Sequence, residues 1–292
     1  MAGVDQDGVA ELREREPQSD WRRCVGCLWV LLLAAGPVAA ATRTDVALEY
    51  AARKLFIKAE AGVRWVEPSA ETRPQGELEA SVWTRSPGEN SRLDLSFRAD
   101  SGAAITREQR YSDGKTRTYR FGEEGVQYDL VAPLRNERRL PKAEWTDRFE
   151  GFYPLPEGFE ASRIVAPSAL FYLLPRLGLD AIGDQADLQV FSKREFYELK
   201  LEVVARPVIA VDWVEERDAE SKRWKAPGTV LHVRASLAGR GEGMSLLGLQ
   251  GDLDFFLHPE LKIPLKIGGR VPILGRVVVS LKKASWVTLE DK

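Results

Sequence analysis

From Tyr197 to Leu289 the chain alternates apolar with polar residues, or runs nearly unbroken in apolar ones, and clusters of Gly, Pro and charge separate the runs. This spacing predicts strands over residues 197–211, 229–237, 253–267 and 275–281, the first separable into 197–204 and 208–214 and the third bent at His258 by Pro259. The last is dense in β-branched residues, Val277, Val278 and Val279, so neighbouring strands must cover it. A charged stretch at 215–228 reads as a hairpin tip.

The same period of two recurs upstream. Val46, Leu48 and Tyr50 alternate, and the pattern resumes at Phe56, Val63 and Trp65, which predicts a hairpin turning near 52–54. A helix over 46–54 is the rival reading, because those residues also suit a 3.6 repeat. After a polar loop at 67–76, Leu78, Ala80 and Val82 form one half-buried strand, and Leu93, Leu95 and Phe97 another, joined by a turn at 86–90. Asp113-Gly114 is a strong hairpin signal between 105–111 and 116–121. From 131 to 159 the period dissolves among Pro133, Pro141, Pro154 and Pro156, and a long irregular stretch inside a compact domain is usually functional or mobile. Pro167 then opens a dense apolar run that predicts a short buried helix ending at Leu174 or Leu177.

The N-terminus adds an address. Arg22 and Arg23 precede an apolar run from Val25 to Ala35, followed by Gly36-Pro37 and the small residues Ala39, Ala40 and Ala41. That order predicts a secretory signal cleaved after Ala40 or Ala41. The run is shorter than the roughly 20 apolar residues a membrane span needs, so no retained span is expected. Residues 1–41 then form an N-terminal extension plus signal peptide, and 42–292 a single domain, since neither a repeat nor a second change of composition follows. Six acidic and four basic residues leave with the leader, which brings the remainder to charge balance and argues against a nucleic-acid partner. Cys24 and Cys27 leave with it too, so no disulfide, catalytic thiol or thiolate metal site is expected.

Catalytic patterns are weak. His232 and His258 sit on different predicted strands without ligands at metal-binding offsets. No Gly-x-Ser-x-Gly elbow accompanies them. Gly239-Arg-Gly-Glu-Gly243 lacks the following helix that a phosphate cradle needs and reads as a flexible loop. Glu215-Glu216 lies on the charged tip, where carboxylates are solvated, and Glu137 and Glu144 interrupt the basic group Arg135, Arg138, Arg139 and Lys142. No catalytic residue, cofactor or metal is expected. One feature remains: Trp145, Phe149, Phe152, Tyr153 and Phe159, followed by Leu170, Phe171, Leu173 and Leu174. These residues either line an opening for an apolar ligand or plug the sheet and complete its core.

The run Ser168 to Leu174, the turn Gly183 to Gln185, the strand Leu188 to Lys200 and the ending Phe255 to Arg270 together resemble an uncharacterised family of exported bacterial β-rich proteins, the domain of unknown function 3108 type. Its members are similar in shape to lipoprotein-carrier folds. The resemblance spans roughly residues 46 to 284 and departs at 215–228 and 239–251. It implies a mainly β fold, a strongly curved antiparallel sheet or incomplete barrel with one or two short helices as plug. It also implies an exported, periplasmic, non-enzymatic protein that binds a lipid or an envelope protein, and it supplies no functional residues to carry over. Two other functions stay open: an exported hydrolase acting on envelope polymers through carboxylates, and a structural interaction module.

Overall fold

The computed structural model describes residues 42–54, 56–67, 76–87, 89–238, 243–272 and 274–290. They fall in one compact unit, Ala40–Lys292. The expected leader, most of the polar loop at 67–76 and most of the glycine-rich 239–243 segment lie outside the described residues. Alternation dominates what is described, and the fold is mainly β: one large sheet, not closed, with one short helix.

Eight strands make an antiparallel meander: β1 Thr42–Lys54, β2 Ile57–Glu67, β3 Glu77–Ser86, β4 Glu89–Arg98, β5 Ala104–Tyr111, β6 Thr116–Gly122, β7 Gly125–Ala132 and β8 Asp147–Pro154. After the two-residue β9, Ile164–Val165, and the helix α1, Leu170–Leu173, come β10 Gln185–Ser192, β11 Glu195–Ala205, β12 Val208–Arg217, β13 Glu220–Thr229, β14 Leu231–Ala238, β15 Ser245–Leu246, β16 Leu249–Leu257, β17 Pro264–Val271 and β18 Gly275–Glu290. Pairing runs β10, β11, β14, β16, β17, β18 and then β1, so the C-terminal strand joins the two halves. Two contacts are parallel, β9 with β10 and β12 with β18. The hairpin β12–β13 therefore stands beside the sheet where β18 leaves β17.

Every second residue faces inward. On β4, Leu93, Leu95 and Phe97 are buried between polar neighbours, and their partners Val82 and Ala80 on β3 share the face. Inner residues of β1 to β4, β11, β14 and β16 to β18 meet in one core cluster, which a flat sheet would not allow. The helical run 167–176 sits within this cluster. Tyr172 donates a hydrogen bond to the Ala99 carbonyl at 2.9 Å and meets Phe97 edge-on at 5.1 Å, and Phe171 lies 5.8 Å from Tyr50. Gly102, at φ +71°, leaves room for Leu173, whose side chain would lie 2.6 Å from any Cβ there. Tyr50 closes the opposite wall with a 2.9 Å bond to the Pro264 carbonyl.

The structure corrects several sequence expectations. The stretch at 197–211 is two strands, divided where the runs 197–204 and 208–214 separate, because Pro207 cannot donate to the ladder. The stretch at 253–267 is also two strands. His258 Nδ1 accepts the backbone N–H groups of Glu260 and Leu261, and Lys262 adopts φ +53°, so the chain turns there. The charged tip at 215–228 is largely strand, and Asp218 (φ +50°) and Ala219 alone make the turn. The irregular 131–159 contains β8, which sequence period missed because Phe149, Phe152 and Tyr153 do not alternate. The predicted hairpin at 46–65 forms, but residues 52–54 remain paired strand and the chain turns between Lys54 and Ile57, while the Asp113-Gly114 turn appears where expected.

Candidate ligand-binding face

The residues singled out from sequence occupy three places. Leu170, Phe171, Leu173 and Leu174 lie inside the main core, none more than 5% exposed. Tyr153 and Phe159 pack on a second, smaller cluster built from Tyr119, Val126, Tyr128, Ile164 and Phe191, with Phe196 beside it. Its rings meet at 4.8 to 6.2 Å, mostly tilted or edge-on, the geometry that aromatic quadrupoles favour. Phe149 lies further along the inner face, and Trp145 lies beside the β5–β6 turn. Phe152 pairs with Gln127 on the opposite face and is half exposed. The structure thus separates the helix from the aromatics that precede it in sequence.

Phe149 is the uncovered member. It shares the inner face with its partner Leu130, lies 5.9 Å from the Tyr128 ring, and remains 52% exposed. Gly151 keeps room for its ring, since a Cβ there would come within 3.3 Å of Phe149. Trp145 rests against Gly114 in the β5–β6 turn and donates its indole N–H to the Leu140 carbonyl at 3.1 Å. Buried Glu137 secures the intervening loop by accepting from the backbone of Leu134 and Thr146 and from the Thr146 hydroxyl, bonds that hold its carboxyl below the usual range. The basic group Arg135, Arg138, Arg139 and Lys142 is exposed on the same loop.

A feature the sequence reading missed adjoins Phe149. By register, Gln109 on β5, Arg117 on β6, Leu130 on β7 and Phe149 on β8 lie in one row on the inner face. The neighbouring row holds Arg107, Tyr119 and Tyr128. Cations pack against rings in and around these rows. Lys115 and Arg117 stand 5.5 and 5.1 Å from the Tyr111 ring, Arg107 stands 5.3 Å from Tyr119, and Arg194 stands 4.6 Å from Tyr128. Arg117 also donates to the Tyr111 hydroxyl at 2.8 Å and Arg194 to the Tyr128 hydroxyl at 2.9 Å. The Nε atoms of Arg107 and Arg117 are buried and have no hydrogen-bond partner among the described residues. Burial lowers the Arg107 pKa, Tyr119 and Tyr111 offset part of that, and the charge of Arg117 acts in the same direction as burial. Alternation left this arrangement legible only as polar residues on an apolar face, in Arg107, Gln109 and Arg117, because ring and cation meet across strands rather than along the chain.

The catalytic candidates resolve differently. His232 bonds Asp254 at 2.8 Å, and Asp254 also takes Arg276 at 2.5 Å, which ties its carboxylate into an ion-pair network. His258 stands 6.2 Å from both Trp213 and Trp224, and burial lowers its pKa. Glu215 is held by Arg217 and the Trp224 indole, and Glu216 by Lys283. Among the described residues no cluster of three or more His, Cys, Asp or Glu could hold a metal ion, and no helix is long and apolar enough to cross a membrane. A depression of about 790 Å³ lies around Trp83 on the outer face of β1 to β5. Of its ionic groups, Arg64 pairs with Asp45 and Arg92 and Arg110 pair with Asp94, Arg85 lies over the Trp83 ring, and the Trp83 indole lies over Gly62 as packing. We therefore place the candidate site on the inner face. Comparison of the chain with protein-family models, with curated proteins and with solved structures finds no match.

Proposed function

We propose that this protein is an exported, non-enzymatic binding protein of the cell envelope, and that its ligand is an apolar or amphiphilic molecule held on the inner face of β5 to β8. The observation that carries the reading is Phe149: a large ring on the inner face, against Tyr128 and Leu130, half open to solvent where the helical plug does not extend. Burying such a ring and its neighbours under a hydrocarbon chain gains about 25 cal/mol per Å² of apolar area removed from water. The resemblance to lipoprotein-carrier folds points the same way. The carboxylates of Asp254 beside His232, of Glu215 and of Glu216 are held in ion pairs and hydrogen bonds, an arrangement that weighs against hydrolysis.

The test uses a neutral apolar fluorophore such as N-phenyl-1-naphthylamine with the purified protein. Binding should saturate at one site. Phe149→Asp should weaken it at least tenfold while leaving the melting temperature within about 2 °C, since exposed positions contribute little to stability. A wild-type protein that never enhances the probe's emission would remove the proposal. So would a Phe149→Asp variant that binds as the wild type does.

A further inference from the structure

We propose that the same face carries an oxyanion subsite, formed by Arg107 and Arg117 with Tyr111 and Lys115, that takes the anionic head group of an amphiphile whose tail lies along Leu130 and Phe149. The inference rests on the binding function proposed above and names the class of ligand.

Other arginines of this chain are paired with carboxylates. On the outer face of the same strands, Arg110 pairs with Asp94 and Glu108, and Arg120 with Asp129. Elsewhere Arg64 pairs with Asp45, Arg176 with Glu67 and Arg223 with Asp212. Arg107 and Arg117 point inward, form no ion pair among the described residues, and each keeps a buried, unpartnered Nε. The contact from Arg107 to Gln109 is long, at 3.4 Å. Two guanidiniums on diagonal positions of adjacent strands repel one another, and tyrosine faces compensate only part of the lost hydration. A carboxylate or phosphate between them would accept from both forks, and that planar, paired geometry is what guanidinium recognises best. Lys115, 5.5 Å from the Tyr111 ring at the turn, is placed to add a third positive charge. Because Arg117 shares its row with Leu130 and Phe149, head and tail positions adjoin.

The experiment titrates the purified protein with decanoate, decyl phosphate, decanol and inorganic phosphate by calorimetry. The wild type, Arg107→Met, Arg117→Gln and the outer-face control Arg120→Gln are compared. Met keeps the buried stem of Arg107, and Arg117→Gln provides a second route should the first variant fold poorly by circular dichroism. The subsite predicts that decanoate or decyl phosphate binds at least tenfold tighter than decanol, as a charge-assisted hydrogen bond contributes. The preference should collapse in either inner-face variant, persist in Arg120→Gln, and leave decanol affinity unchanged. Equal affinity for the charged and neutral chains would overturn the subsite while sparing the apolar site. Inorganic phosphate binding as tightly as decyl phosphate, with loss in the arginine variants, would keep the subsite and overturn the apolar site. Failure of all four probes would overturn both.

Discussion

Phe171→Ala tests whether the helical run is core or cover. The ring is 1% exposed, belongs to the main cluster and lies 5.8 Å from Tyr50, and Tyr172 beside it is anchored to the Ala99 carbonyl. Truncation removes the transfer energy of the ring and leaves a cavity that the flanking strands, held by their own ladders, cannot close, for a loss of about 3–5 kcal/mol. That is a large share of the roughly 5–15 kcal/mol by which a domain is stable. With a urea m-value of about 3 kcal/mol/M, the unfolding midpoint should fall by roughly 1–1.7 M. Urea titration followed by tryptophan emission measures this directly, and an unchanged slope confirms that the native state remains compact. A cover would behave differently: it separates from the sheet without disturbing the core, so its truncation would cost under about 1 kcal/mol and raise uptake of the neutral fluorophore. That pair of results would refute the assignment of the helix to the core.

Gly102→Ala should cost about 2–5 kcal/mol, from a positive φ and from displacement of Leu173, and lower the melting temperature by roughly 5–15 °C. Gly158→Ala, at φ +84° with nothing within 4 Å, should lose only the strain of about 1–2 kcal/mol, and equal losses at the two glycines would show that the Leu173 contact is unimportant. His258 should titrate below the ordinary histidine range, because burial opposes its charge and its Nδ1 already accepts two backbone N–H groups. Its folded pKa lies below its unfolded one, so the turn's stabilisation is complete above the ordinary range and is lost as pH falls through the folded pKa. Proton NMR of the ring, with tryptophan emission reporting on Trp213 and Trp224, follows this, and a midpoint above the ordinary value would contradict the burial argument.

Much of the fold was legible in the linear pattern. A period of two places Val46, Leu48, Tyr50, Leu93, Leu95 and Phe97 on one face, and Asp113-Gly114 and Pro167 mark a turn and a helix start, because these are local steric and burial preferences. Strand ends were less legible. Pro207 and Pro259 mark a break and a bend within runs whose apolar density continues, but that His258 ends one strand with a capped turn depends on its side chain rather than on composition. Only tertiary structure decided that β18 joins both halves and that the helix enters the main core while Tyr153 and Phe159 pack elsewhere, since pairing partners far apart in sequence carry no local signal. The same reason hid the face we consider functional. Arg107 and Arg117 read as ordinary strand arginines until the register shows them turned inward, away from the carboxylates that neutralise Arg110 and Arg120. Which face a charge occupies follows from one residue of register, and register is settled by the whole sheet.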